Sequence, residues 1–134
     1  MKYEDSQRFT ITLAAAGTAY SAWFNVGFAN EIYAYCTYDW LKAIGNDESA
    51  TVSLQRHIPL AADVAAEGTD VLTFSTRTAD NAVEEKIATD KDEAAQGTEN
   101  RLGMRMRFEL VATGTDWTTD QTITVVCIAN MKRN

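Results

Sequence analysis

EIYAYCTYDW, residues 31–40, decides how this chain is read. Taken with a period of two, it divides into two faces. Ile32, Ala34, Cys36, Tyr38 and Trp40 share one; Tyr33, Tyr35, Thr37 and Asp39 share the other. The first set is a core wall. The second turns outward and puts two tyrosines on one side of a sheet, a geometry suited to an interface or to stacking on a ligand.

The same period runs outward in both directions. In RFTITLA (8–14), Phe9, Ile11 and Leu13 oppose Thr10 and Thr12. YSAWFNVGF (20–28) places Tyr20, Ala22, Phe24, Val26 and Phe28 on one face, with Trp23 and Asn25 on the other. Downstream, ATVSLQRHI (50–58), DVLTFST (70–76), LGMRMRFELVA (102–112) and QTITVVCIANM (121–131) complete about seven strands rich in threonine, valine, isoleucine and aromatics. Both faces are apolar from Val125 to Ile128, which suits a central strand. Four of the seven glycines precede threonine, at Gly17, Gly68, Gly97 and Gly114. We read these as turn grammar, with glycine supplying positive φ and threonine opening the next strand. The expected fold is all-β: a single domain over 1–134, an antiparallel β-sandwich or barrel of Greek-key or jelly-roll type.

One stretch interrupts the pattern. ADNAVEEKIATDKDEAAQGTEN (79–100) holds seven acidic and two basic residues, which is -5 of the chain's net charge of -7. We expect an ordered acidic loop or arm here, with Ala82 to Ala88 forming a helical turn or two because Val83 and Ile87 stand at i and i+4. A second irregular run, PLAADVAAEG (59–68), reads as a crossing between sheets.

Charge and motifs narrow the function. The acidic balance opposes direct nucleic-acid binding. The start, MKYEDSQRFT, lacks the pattern of a secretory leader, and no apolar run approaches a membrane span, so synthesis in a cytoplasm without export by the standard route is the expectation. Cys36 and Cys127 fall on apolar strand positions and read as small buried hydrophobes, with a disulfide left open by the spacing. His57 is the lone histidine and reads as structural. DKDE (90–93) begins like an EF-hand but lacks the later ligands, and no zinc or phosphate motif occurs, so no metal or cofactor is assigned. Catalytic residues are likewise not assigned; Glu31, Asp39 and Glu109 are the strand acids from which a hydrolase pair would be drawn.

The interface candidates are Trp23, Tyr33, Tyr35, Arg105, Arg107 and Trp117. Trp23 and the two tyrosines would form one outer aromatic patch if their strands were neighbours. Arg105 and Arg107 form a small basic ridge, able to meet acids across the sheet or the acidic 79–100 stretch of a second copy.

In length, in threonine- and alanine-rich strand composition and in lack of a catalytic motif, the chain resembles small bacteriophage virion proteins of the head decoration or cement type. That resemblance implies a non-enzymatic virion component that oligomerises, commonly as a trimer, and clamps the major capsid protein. Two alternatives remain: a carbohydrate-binding β-sandwich module using Tyr33, Tyr35 or Trp117, and a small β-fold hydrolase.

Overall fold

The computed structural model describes residues 3–26, 31–41, 47–57, 68–78, 83–89 and 105–132. Among them are nine strands: β1 (Tyr3–Leu13), β2 (Gly17–Tyr20), β3 (Phe24–Asn25), β4 (Glu31–Leu41), β5 (Ser49–His57), β6 (Gly68–Thr73), β7 (Val83–Thr89), β8 (Arg105–Thr113) and β9 (Thr122–Lys132). With β2 and β3 counted as one interrupted strand, the antiparallel pairs nest from the ends of the chain to its middle. β1 pairs β9, β2 and β3 pair β8, β4 pairs β7, and β5 pairs β6. Pairing of β4 with β9 and of β5 with β8 joins these ribbons into two sheets. Their orders are β1-β9-β4-β7 and β2-β8-β5-β6, with β3 also on β8. A long antiparallel ribbon folded in this way is a jelly roll, the sandwich solution among the expected architectures.

Alternation builds the core. Ile32, Ala34, Cys36, Tyr38 and Trp40 of β4 are all buried, as are Ile123, Val125, Cys127, Ala129 and Met131 of β9. From the second sheet Val52 and Leu54 meet them with Met106, Phe108 and Leu110. Phe24 stacks on Phe9 and Phe108 at centroid distances of 5.3 and 5.9 Å. Cys36 lies directly opposite Cys127; both are buried and free. Burial, and then the adjacent Cys36, push the Cys127 thiol up, so the pair behaves as packing. β9 is central in its sheet, as expected, with Val126 and Ile128 half-buried on its outer face.

Two expectations are corrected. Residues 83–88 are strand, not helix: β7 runs antiparallel along β4 from Glu31↔Thr89 to Thr37↔Val83. A spacing of four puts Val83 and Ile87 on one face of either element, so it could not separate them. The free edge of β4 supplies backbone partners, and these decide the matter. The parity of the 20–28 run also changes. Tyr20 opposes Glu109 while Phe24 opposes Met106, so four steps on one strand match three on the other. The extra residue is a bulge-like interruption that turns Phe24 inward and leaves Tyr20 on the outer face. The expected crossing over 59–68 lies, except for Gly68, outside the described residues. So do residues 79–82 and 90–100 of the acidic stretch, the DKDE run among them.

Candidate functional site

The outer face of the second sheet carries an unusual polar and aromatic cluster. β8 presents Arg105, Arg107 and Glu109 there, because Met106, Phe108 and Leu110 point into the core. Its neighbour β5 presents Ser53, Gln55 and His57, with Gln55 opposite Arg107. Irregularities on both flanking strands aim further side chains at this point. On one side the interruption between β2 and β3 brings Tyr20 and Trp23. On the other, the β5–β6 register shifts by one residue between Leu54↔Leu72 and Gln55↔Asp70. That shift sets Asp70 beside Gln55, the re-aiming that bulges commonly perform.

Arg107 is the centre of the cluster. Although it belongs to the outer face, it is only 1% exposed. Its guanidinium lies 3.8 Å from the Tyr20 ring centroid and 4.4 Å from that of Trp23. Both contacts are cation–π interactions, strengthened by desolvation. Arg107 Nε donates to Gln55 Oε1 at 2.9 Å, and Gln55 Nε2 donates to Asp70 Oδ1 at 2.9 Å. The two bonds fix the amide's orientation. Gly68 makes room for it: a Cβ at that position would collide with Gln55 Oε1 and stand 3.1 Å from an Arg107 nitrogen. At the rim, Trp23 meets His57 edge-on at 4.9 Å, and Arg105 Nη2 lies 3.2 Å from His57 Nε2.

Glu109 completes the cluster beside Tyr20 and Ser53. Burial, and then the nearby Asp70 carboxylate, push its carboxyl above the ordinary value, against the opposing pull of Arg107, Tyr20 and Gln55. The neutral form is therefore favoured by folding relative to the unfolded chain. The stability this group contributes is complete below the ordinary carboxylate value and is lost as pH rises through the raised one. Glu109→Gln is accordingly expected to raise the melting temperature near neutral pH, with the gain disappearing at about pH 4. Solvent screening limits the gain to about 1 kcal/mol or less. Thermal melts of both chains across this range measure it; a variant that is less stable near neutral pH would contradict it.

Of the expected interface residues, the fold brings Trp23, Arg105 and Arg107 together and places the other three elsewhere. Tyr33 and Tyr35 are half-buried on the outer face of the first sheet, on β4, so the single patch expected with Trp23 does not form. Lys132 stands 5.1 Å from the Tyr33 ring and pairs with Glu31. β7 extends that sheet alongside the tyrosines and does not lie over them. Trp117 packs on Trp40 at 5.5 Å and donates from Nε1 to the Thr113 carbonyl. Arg107 is no open ridge, since Tyr20 and Trp23 cover it; Arg105 is the exposed cation of the two. Glu31 and Asp39 lie on the other sheet from Glu109, so these strand acids do not make a pair across a cleft. Tyr20, Gln55, Gly68 and Asp70 were missed. No local pattern marks them, because each depends on which strands pair and in what register.

Comparison with family models, with curated proteins and with solved structures finds no match. The reading of this site therefore rests on its own geometry.

Proposed function

We propose that this chain is a non-enzymatic assembly protein that binds other protein chains, copies of itself included, through the outer face of its second sheet. The observation that carries this is the clamped Arg107, held between Tyr20 and Trp23 and locked by Gln55. Tryptophan and tyrosine are enriched among the residues that dominate binding energy at protein interfaces, and the buried Arg107 holds one of each in place. Here they are already ordered, so little side-chain freedom is lost on association. Jelly rolls serve in viral capsids and in lectins, which is compatible with this reading without selecting it. In the form implied by the resemblance to virion decoration proteins, the partner is a major capsid protein and the location is the virion. Contact area on the assembled shell would then favour the assembled state by mass action.

Sedimentation across a concentration range, with and without capsid shells, tests this. Wild-type protein is expected to self-associate or to co-sediment with shells. Trp23→Ala should weaken that association by about 30-fold or more, as for a hot-spot residue. A protein that remains monomeric at every concentration and ignores the shells would overturn the proposal. One observation favours a second reading, carbohydrate binding: the Trp23 ring stands beside the hydrogen-bonding groups of His57 and Arg105. Glycan-array binding that is lost in Trp23→Ala would move the site to that class.

A further inference from the structure

A second cluster lies at another place on the second sheet. Ser49 opposes Thr113 in the β5–β8 register, so the residues just before β5 meet those just after β8. Asp47, Glu48 and Asp116 converge there, with carboxylate oxygens all within 4.8 Å of one another. Acidic groups at a surface often gather without a ligand, and the cluster alone would carry nothing. Glu48 changes that. It is only 1% exposed, and among the described residues no N–H donates to either of its buried carboxylate oxygens; the group it meets is the Asp47 carboxyl. A buried carboxylate with no donor is stabilised only by taking up a proton or by a compensating cation. Instead, one of its oxygens lies within 4.8 Å of oxygens from two further carboxylates.

We propose that Asp47, Glu48 and Asp116 bind a divalent, oxygen-preferring cation of the calcium class. Calcium takes oxygen ligands at about 2.3–2.6 Å, so oxygens on opposite sides of one ion stand about 5 Å apart, the spread seen here. The donor set is carboxylate alone, without the imidazole or thiolate that zinc and copper prefer. Asp47 is oriented in advance. Its Oδ2 accepts the Thr115 N–H at 2.9 Å and the Thr115 hydroxyl at 2.8 Å, while Oδ1 accepts, from the backbone of the described residues, a long 3.4 Å contact from the Asp116 N–H. Lone pairs of Oδ1 thus remain for a metal. Asp47 and Asp116 are exposed, which leaves the cluster open to water that completes the coordination shell. The bound ion would clip the segment entering β5 to the turn leaving β8. This role is separate from the Arg107 face and stands whether or not that face is an interface.

Terbium and calcium, added to chelator-treated protein, are the probes. Trp117 is the sequence neighbour of Asp116, so tryptophan excitation should sensitise bound terbium. We expect sensitised terbium emission, its displacement by calcium, and a calcium-dependent rise in melting temperature. Asp116→Asn should weaken terbium binding by about tenfold or more and reduce the calcium-dependent rise. Glu48→Gln should do the same; if that chain fails to fold, the exposed Asp116 decides alone. Absence of both emission and thermal shift in the wild type overturns the proposal. So does emission that persists undiminished in Asp116→Asn.

Discussion

Arg107→Ala is expected to destabilise the protein by about 2–4 kcal/mol. The loss has three parts. A hydrogen bond from a charged donor to Gln55 contributes about 1.5–3 kcal/mol. Two desolvated cation–π contacts contribute about 0.5–2 kcal/mol each. Against these stands the relief of no longer burying a guanidinium, which keeps the net below the sum. The truncation also leaves Gln55 Oε1 without its donor and the Tyr20 and Trp23 rings without the plane between them. Arg107→Lys should recover only part of the loss, because an ammonium keeps the charge but not the flat stacking surface. The pH dependence identifies the mechanism. Arg107 opposes the upward push on the Glu109 carboxyl, so its removal drives that carboxyl further toward the neutral form. Below the ordinary carboxylate range Glu109 is neutral in both chains and the extra cost vanishes. Denaturant unfolding should therefore show a larger loss near neutral pH than at about pH 4. A loss below about 1 kcal/mol would contradict the clamp, and a loss independent of pH would mean that Arg107 does not act on Glu109.

How far the sequence reached depended on the kind of information each residue carries. Alternation in 31–40 and 102–112 named the inward residues of β4 and of the described part of β8 correctly, because burial on one face imposes a period that any single strand displays. Sheet order was not legible in that way. Nothing in 20–28 announces the extra residue that flips Tyr20 against Phe24, and nothing in 69–73 announces which residue is extra opposite β5. Both irregularities are properties of a pair of strands. The Arg107 cluster lies between them, so its members could be listed singly but not assembled. Trp23 and Arg107 were named from parity and charge; Gln55 and Asp70 needed the register. The strand over 83–89 was missed for a related reason: its pairing edge on β4, and not its own residues, makes it a strand. Likewise, the acids at 47, 48 and 116 are distant in sequence and meet only because Ser49 and Thr113 are paired.

The recurring glycine–threonine steps separate once the fold is known, and they yield the second large effect. Gly114→Ala is expected to cost about 2–6 kcal/mol. Gly114 has φ of +120°, beyond the left-handed region that asparagine tolerates, and it is the turn glycine anticipated from the sequence. Holding a Cβ-bearing residue there costs about 1–3 kcal/mol in backbone strain. The Cβ would also stand 2.8 Å from the Glu48 Cα and 2.9 Å from the Asp47 carbonyl oxygen. Those are backbone atoms, which cannot swing aside as a side chain would, and overpacking of this kind adds about 1–3 kcal/mol. At this chain length roughly 3–6 °C of melting temperature accompanies each kcal/mol. Gly17→Ala is the matched control. Nothing lies within 4 Å of its would-be Cβ and its φ is not in the positive region, so the change should be neutral or stabilise by about 0.4–1 kcal/mol. Gly68 differs from both. Its Cβ would strike the Gln55 side chain, so Gly68→Ala should disturb the Arg107 cluster by displacing Gln55 from Arg107 and Asp70. Melts of the three variants side by side give the test. A Gly114→Ala chain within about 1 kcal/mol of wild type would show that the turn can relax. The contact between the 114–116 turn and Asp47–Glu48 would then be looser than the geometry requires.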